Sequence, residues 1–487
     1  MSFASPVFLF LFLPTILFGY WASSRQLRIY LLLVTSLFFY AWGEGRYVVV
    51  LLLAIAVNHI LTIVMDRCQQ TSRRRAVLLS TIGLNLIFLF AFKYPAVTQW
   101  LTSHAGDSLA AQQPMHLPLG ISFFTFQAIA YVVDVYHQKH TPVLNPLKFS
   151  VFMSLFPKIS AGPIIRYDEV DKALAGPAVD IDTCAYGAKR FIIGLGKKLL
   201  IADTLAKTAD QIFAIPSTDL TAPVAWLGIV CYTLQIYFDF SGYTDMAIGL
   251  GRMLGLTFRE NFDYPYIAKS VTEFWRRWHI SLSTWLRDYL YTPLLYSLMT
   301  KKVRQKIACG QYRTNYRSFF SIIVVFVLCG WWHGSTWNFI IWGLLHGLLL
   351  ATESWKLGKI LKKAPKGVAH CYTLLFIMMA WIFFRIPTVG GALDYIAAML
   401  GFGSGDGITY SVPLYMTKEL LLILFVAVLA SMPTVRYLCD NITCKITSPR
   451  LMRCWPIIES GALASIFLVS LMSAASTTYQ PFIYFRF

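Results

Sequence analysis

Long apolar runs alternate with short polar stretches, most of them basic, along nearly the whole chain. Residues 46–65 and 418–433 are two such runs, and they approach or reach the roughly 20 apolar residues that a helix needs to cross a bilayer core. About eleven runs of this kind can be counted. The pattern predicts an all-α, polytopic membrane protein with about eleven transmembrane helices.

Two stretches depart from this pattern. Residues 150–207 and 259–293 mix Pro, Gly and charged side chains too densely for exposure to lipid, so they should be re-entrant or interfacial and line protein. Within residues 273–290, apolar and polar side chains fall on two arcs at helical spacing. We expect one amphipathic helix there, at or in the membrane.

Composition supports a membrane protein, since 57% of the 487 residues are hydrophobic and 14% are charged. The formal charge of +18 is spread between apolar runs rather than massed on one module, which indicates topology signals and no nucleic-acid partner. The nine cysteines include no CxxC pair, so neither a disulfide framework nor a metal site is expected. No repeat or long linker is visible, so residues 1–487 are interpreted as a single domain.

Basic loops predict the orientation, because short cytoplasmic loops carry an excess of Lys and Arg. Arg25, Arg28 and residues 67–75 should be cytoplasmic, and residues 102–116 should lie outside, which puts the N-terminus outside the cytoplasm. The first apolar run lacks the features of a cleaved signal peptide and should remain as a membrane helix. Further cytoplasmic loops are expected at residues 301–317, 356–366 and 436–453, with residues 401–413 and the C-terminus outside.

Ionisable side chains inside apolar runs are costly and therefore mark candidate functional positions. His333 lies about fifteen residues beyond a basic loop, or roughly 22 Å along a helix. Trp331 and Trp332 offer flat stacking surfaces beside it, and Gly334 permits a close approach or a break in the helix. A catalytic His333 and a structural His333 that bonds a neighbouring carbonyl both remain open at this point.

The remaining candidates have more ordinary explanations. His279, between Trp275 and Trp278, suits an interfacial anchor, and His346 suits a packing histidine that hydrogen-bonds across helices. Asp239 and Asp245 are best explained as a structural polar hub, with a proton or substrate role as the alternative. The sequence contains no phosphate loop, GxSxG elbow, HExxH or dinucleotide fingerprint.

Residues 274–294 (FWRRWHISLSTWLRDYLYTPL) and 331–347 (WWHGSTWNFIIWGLLHG) together resemble the paired signature of the membrane-bound O-acyltransferase family, in its bacterial alginate O-acetyltransferase-like branch. Similar segments lie at residues 118–136, 156–167, 237–256 and 481–487. The core signature region spans about residues 118–350. After residue 294 this chain lacks the Gly-Gly-Asn-Arg turn that is usual in the branch, so alginate itself is not implied.

The resemblance implies that His333 is the catalytic histidine, that His279 is a second functional position, and that the helices surround a thinned central channel. The candidates for lining the substrate channel are Trp275, Arg276, Trp278, Ser283, Trp331, Trp332 and Asn338. The implied reaction moves an acetyl group from a cytoplasmic thioester, acetyl-coenzyme A or another acyl donor, for O-acetylation of a polysaccharide outside the cytoplasm. No bound cofactor is expected.

The branch also implies an extracytoplasmic acetyltransferase-type partner protein and residence in the bilayer of the bacterial inner membrane. Two alternatives remain: a multipass flippase or transporter for lipid-linked saccharides, and an acyltransferase with a protein or lipid acceptor. The basic loops at residues 301–317 and 356–366 have two interpretations. They are either ordinary cytoplasmic loops or loops whose positive charge attracts an anionic donor such as coenzyme A.

Overall fold

A computed structural model describes residues 1–94, 117–175, 180–299, 316–434, 437 and 449–476. Within these ranges every regular element is a helix and no strand occurs, which confirms the all-α class. The chain divides into two compact units. The first comprises residues 1–192 and 243–259, and the second comprises residues 193–242 and 260–487.

Six helical segments in the described ranges are long and apolar enough to cross a membrane, which confirms a multi-pass membrane protein. They are Arg25–Arg67, Thr71–Lys93, Ala222–Met253, Tyr316–His333, Lys366–Arg385 and Trp455–Ser476. Three shorter apolar helices accompany them: Phe8–Ala22, Ile121–Tyr136 and Val389–Phe402. The first segment contains two helices of 20 residues, Arg25–Glu44 and Val48–Arg67, each about 30 Å long, with Gly45 at φ +53° between them. It is therefore long enough for two crossings.

The first unit packs around aromatic side chains near the N-terminus. Phe3, Phe8 and Phe39 are buried, with ring centroids 5.0–6.1 Å apart. The segment that begins at Phe156 is buried to Ala161, which confirms the expectation that it lines protein rather than lipid. Besides the segments above, the helices here are Pro146–Ser154, Phe156–Ile159, Tyr167–Ala175 and most of Ile181–Gly196.

The second unit contains the paired signature. Tyr316–His333 and Trp337–Thr352 form a helical hairpin whose backbones meet at Gly330 and Gly343. A Cβ atom on Gly343 would lie 2.2 Å from the carbonyl oxygen of Phe326, so only glycine permits this approach. The other described helices, including short and π-helical turns, are Lys197–Ala202, Asp203–Phe213, Pro265–Ile267, Val271–Arg277, Ile280–Leu286, Arg287–Tyr291, Thr292–Ser297, Glu353–Leu357, Gly358–Lys363, Val389–Ala397, Ala398–Phe402, Val412–Tyr415, Lys418–Ala430 and Pro449–Ser476.

The prediction of one continuous amphipathic helix over residues 273–290 was wrong. The segment forms two short helices, Val271–Arg277 and Ile280–Leu286, joined by an extended Trp278 and a left-handed His279 at φ +45°. The apolar arc is buried as expected, but so is His279, at 1% exposure. Asn261 stabilises the break by bonding the start of the second helix twice: its carbonyl oxygen accepts from the Ile280 amide at 2.9 Å, and its side-chain oxygen accepts from the Ser281 amide at 3.1 Å.

Several topology predictions lie wholly or mostly outside the described residues. These are the loop at residues 102–116, residues 301–315 of the loop at 301–317, residues 438–448 of the loop at 436–453, and the C-terminal segment at 481–487. The segment at residues 401–413 is described: Gly401 has a left-handed φ of +91° near the end of Ala398–Phe402, and Ser404 and Asp406 lie in the irregular connection after that helix.

Candidate active site

His333 is the last residue of the helix Tyr316–His333, at the end opposite the basic loop. Its side chain is buried, at 4% exposure, among the rings of Trp332, Trp342 and Phe384, whose centroids lie 4.6, 5.0 and 5.2 Å away. Gly334 follows directly, and the Phe339 ring occupies the space that a Cβ atom would need there. The imidazole is therefore held by aromatic surfaces on several sides.

His279 lies at the break between two seven-residue helices, each too short to span a bilayer. Its Nδ1 atom is 3.2 Å from Oδ1 of Asn261, which also accepts hydrogen bonds from the amide and the hydroxyl of Ser281. The Ser281 amide donates to this atom of Asn261, so the atom is the side-chain oxygen and acts as an acceptor. Nδ1 of His279 must therefore donate to it and carry the ring proton, which leaves the lone pair on Nε2. Burial lowers the pKa of His279, which keeps the ring neutral near pH 7.

Trp275 connects the first of these short helices to the helical hairpin. Its Nε1 atom donates a 3.1 Å hydrogen bond to Nδ1 of the fully buried His346. This confirms the prediction that His346 hydrogen-bonds across helices. The Trp342 ring lies edge-on to both histidines of the hairpin, 5.0 Å from His333 and 4.8 Å from His346.

A chain of aromatic rings then leads toward His279. Trp342 stacks on Trp381 at 6.1 Å, and Trp381 contacts Trp278 at 5.2 Å, the residue directly before His279. The two signature segments thus share one aromatic wall. Such a wall excludes water and fixes the helix that carries each histidine.

The other predicted channel residues occupy different environments. Arg276 is exposed, Ser283 is half-buried and donates to the Trp278 carbonyl at 3.3 Å, and Trp331 is 39% exposed. Asn338 is buried and its amide nitrogen donates to the carbonyl of Ile386. The Oδ1 atom of Asn338 accepts no hydrogen bond from any described residue.

Asp239 and Asp245 take different cationic partners. In the second unit, Lys198 lies 2.8 Å from Asp239 and 2.7 Å from Asp203, all three being buried. In the first unit, Nε and Nη2 of Arg190 donate to Oδ1 of Asp245 at 3.0 and 2.7 Å. These are the ion pairs that a structural hub requires, and the role itself stays a prediction.

Sequence reasoning missed Glu353. This buried carboxylate accepts hydrogen bonds from the Val271 and Thr272 amides at 2.8 Å each, and from the Thr272 hydroxyl at 2.6 Å. It therefore fixes the first turn of Val271–Arg277 to the end of the hairpin. An acidic residue at the end of an apolar helix, before a basic loop, was the available signal. Asn261 gave no comparable signal, because its partners follow 18 and 20 residues later.

Comparison of the chain with known proteins identifies the family to which this site belongs. A sequence model of the membrane-bound O-acyltransferase family matches residues 136–389. The chain is similar to the probable alginate O-acetylase AlgI of Azotobacter vinelandii, with 38% identity over 83% of this chain and 79% of the relative. It is also similar to the peptidoglycan O-acetyltransferase of Helicobacter pylori, with 36% identity over 82% and 80%.

A more distant similarity links the chain to the teichoic acid D-alanyltransferase of Bacillus subtilis, with 30% identity over 50% of this chain and 62% of the relative. The chain belongs to the membrane-bound O-acyltransferase family. It is an O-acyltransferase, which is the enzyme class implied by the paired histidine segments.

Proposed function

We propose that this enzyme takes an acetyl group from a cytoplasmic thioester and delivers it for O-acetylation of a polysaccharide outside the cytoplasm. The observation that carries the proposal is the position of His333. The helix Tyr316–His333 begins next to a basic loop and ends at this histidine, 18 residues or about 27 Å further on. In a helix that crosses the membrane, His333 is far from the donor's side and close to the acceptor's side.

The reaction needs one base. His333 removes the proton from the acceptor hydroxyl while the oxygen attacks the thioester carbonyl, so a C–O bond forms and the C–S bond breaks. The proton then passes from the imidazolium to the leaving thiolate. A neutral imidazole near pH 7 can accept the proton in the first step, and the imidazolium that results can donate it in the second. His279, with Nδ1 bonded to Asn261, presents its Nε2 lone pair to a second hydroxyl of the acceptor and so orients the acceptor for attack.

The same proposal includes the membrane topology, the location of the protein and a partner protein. About eleven crossings surround a thinned central channel, both termini lie outside the cytoplasm, and the protein resides in the inner membrane. An extracytoplasmic acetyltransferase-type partner assists the final transfer to the polysaccharide. The names of two similar proteins, a probable alginate O-acetylase and a peptidoglycan O-acetyltransferase, support an acetyl group and a saccharide acceptor.

The test measures transfer of radiolabel from the acetyl group of acetyl-coenzyme A by membranes that carry the full chain. The assay is run with and without the partner protein and the polysaccharide of the producing cell. The products are separated into polysaccharide, protein and lipid fractions. We expect alkali-labile label in polysaccharide only when the enzyme is present. Enzyme-dependent label in protein or lipid, with the polysaccharide unlabelled, would overturn the proposal that the acceptor is a polysaccharide.

A further inference from the structure

An open cavity lies in the second unit where the helices Asp203–Phe213 and Lys366–Arg385 end. Its volume is about 390 Å³, and its walls come from the ends of those helices and from the segments that follow them. We call it the aromatic cavity, because the rings of Phe213 and Tyr395 both line it. Its volume falls in the lower part of the range for small-molecule sites, about 300–1,000 Å³. The cavity therefore suits a small ligand or a short segment of a polymer.

A guanidinium and a carboxylate form one part of the lining. Nη2 of Arg385 donates to Oδ1 of Asp210 at 2.6 Å, and both side chains are partly exposed. The same guanidinium lies over the Phe213 ring, 5.5 Å from its centroid. A guanidinium carries more N–H donors than this one bond uses. The pair can therefore hydrogen-bond to a ligand in the cavity while it stays joined.

Two parallel rings form another part of the lining. Phe213 and Tyr395 stack with their centroids 4.6 Å apart and their planes 2° apart. The Tyr395 hydroxyl donates to the carbonyl of Ala225 at 2.9 Å, which fixes the ring. Aromatic rings pack against the C–H surface of a sugar, and a planar charged pair beside them can bond its hydroxyls. The lining therefore combines the two kinds of group that a saccharide needs.

The aromatic cavity lies near His333 but does not include it. Phe384, whose ring centroid is 5.2 Å from that of His333, directly precedes the cavity residue Arg385. Asn338 of the helical hairpin donates to the carbonyl of Ile386, which also lines the cavity. None of the described hairpin residues is part of the lining. A ligand in the cavity therefore lies close to the proposed base without presenting its own hydroxyl to it.

The segments around the aromatic cavity carry few cations. Residues 208–225 and residues 386–417 contain no Lys or Arg. The helix Lys366–Arg385 begins beside a basic segment and reaches the cavity after 20 residues, or about 30 Å. Because short cytoplasmic loops carry the excess of Lys and Arg, this pattern favours a cavity on the side away from the cytoplasm. The acceptor of the proposed function approaches from that side.

We propose that the aromatic cavity binds a sugar unit of the acceptor that does not itself react and that neighbours the unit receiving the acetyl group. This rests on the proposed function, in which the acceptor is a polysaccharide. The rings of Phe213 and Tyr395 contact the C–H surface of the bound sugar, and Arg385 with Asp210 bonds its hydroxyls. The cavity thereby makes the enzyme favour a polymer over a single sugar.

Two matched pairs of variants test the proposal. Ala214 lines the cavity and Gln211, three residues earlier, does not, although both are exposed. Ala214→Trp therefore obstructs the cavity, and Gln211→Trp adds the same side chain outside it. Asp210→Asn alters the polar pair without added bulk, and Asp219→Asn, at an exposed position outside the lining, is its control.

The acceptors are de-O-acetylated oligosaccharides cut from the polysaccharide of the producing cell, sorted by length, and the corresponding single sugar. Acetyl transfer to each is measured with the full-length protein in nanodiscs, with donor and partner protein supplied. Equilibrium binding of the labelled oligosaccharides is measured without donor. We expect the two cavity variants to raise the KM and the Kd for oligosaccharides about tenfold, with kcat and the use of the single sugar unchanged.

The two control variants should resemble the unmodified enzyme and keep its preference for the longer acceptors. Equal KM and Kd values for the cavity variants and their controls would overturn the proposal and leave the acetyl-transfer function standing. Oligosaccharide binding that depends on the cavity, without acetyl transfer to any acceptor, would support the saccharide site and overturn the proposed function.

A segment of the partner protein or a lipid could occupy the cavity instead of a sugar. Retention of the partner on the immobilised enzyme, and bound phospholipid measured by native mass spectrometry, are therefore compared for Ala214→Trp and Gln211→Trp. If a sugar unit occupies the cavity, the two variants should retain equal amounts of partner and lipid. Loss of partner or lipid from Ala214→Trp alone, with oligosaccharide binding unchanged, would overturn the proposal.

Discussion

The indole of Trp275 donates a 3.1 Å hydrogen bond to Nδ1 of His346, which joins the two halves of the histidine signature. Both side chains are buried, so neither has water as an alternative partner. Since Trp342 contacts both His346 and His333, this bond also supports the position of His333.

Trp275→Phe should lower both stability and activity. The phenyl ring keeps much of the packing but leaves Nδ1 of His346 without its donor, which costs about 1–3 kcal/mol of unfolding free energy. Thermal unfolding in detergent and the kcat for acetyl transfer measure the two effects. Trp337→Phe, at a tryptophan that is 72% exposed, is the control and should change neither. Equal behaviour of the two variants would contradict the role of the bond.

Glu353→Ala should lower kcat with a smaller effect on stability than a core truncation has. The variant leaves two amides at the start of Val271–Arg277 without their acceptor, and small displacements of catalytic groups can cost up to about a hundredfold in rate. Glu353→Gln keeps one side-chain acceptor and should recover part of the loss. Asp394→Asn, at an exposed position, is the control. A change confined to KM would contradict this positioning role of Glu353.

Gly343→Ala should destabilise the helical hairpin. The added Cβ atom meets the Phe326 carbonyl at 2.2 Å, so the helices must separate, at a cost of about 1–3 kcal/mol. Gly367→Ala is the matched control, because no atom lies within 4 Å of the Cβ position in that helix. The control should be neutral or slightly stabilising. Equal melting temperatures for the two variants would mean that the close approach contributes nothing.

Lys198→Met tests whether Asp239 belongs to a structural hub. The variant leaves two buried carboxylates without their cation, which costs about 3–5 kcal/mol. Combining it with Asp203→Asn and Asp239→Asn removes the uncompensated charges and should restore folding and acetyl transfer. If the triple variant folds but transfers no acetyl group, the ion-pair cluster has a role in the reaction rather than in structure alone.

The sequence was sufficient for the fold class and for the apolar helix that carries His333. Apolar runs bounded by basic loops predict helices by composition alone, and Gly334 marked the end of Tyr316–His333. The break at His279 was not predictable in this way, because residues 273–290 satisfy helical periodicity. The left-handed turn depends on Asn261, a polar residue in a preceding loop whose contacts are tertiary.

The number of membrane crossings was also not predictable from the apolar runs alone. The apolar run at residues 418–433, which was counted as a crossing, forms the helix Lys418–Ala430 of 13 residues. Composition cannot distinguish a buried helix from one that crosses the bilayer, because both are apolar. Glu353 illustrates the reverse case: a single charge in a basic segment is a weak signal until its hydrogen-bond partners are known.

The central claim is that His333 is the base, and the most direct measurement compares acetyl transfer by His333→Ala and His137→Ala at equal levels in membranes, with donor, partner and polysaccharide supplied. His137 is exposed and serves as the matched control. The account predicts a loss of at least about a hundredfold for His333→Ala and near-normal transfer for His137→Ala. Transfer by His333→Ala at the rate of the control would contradict it.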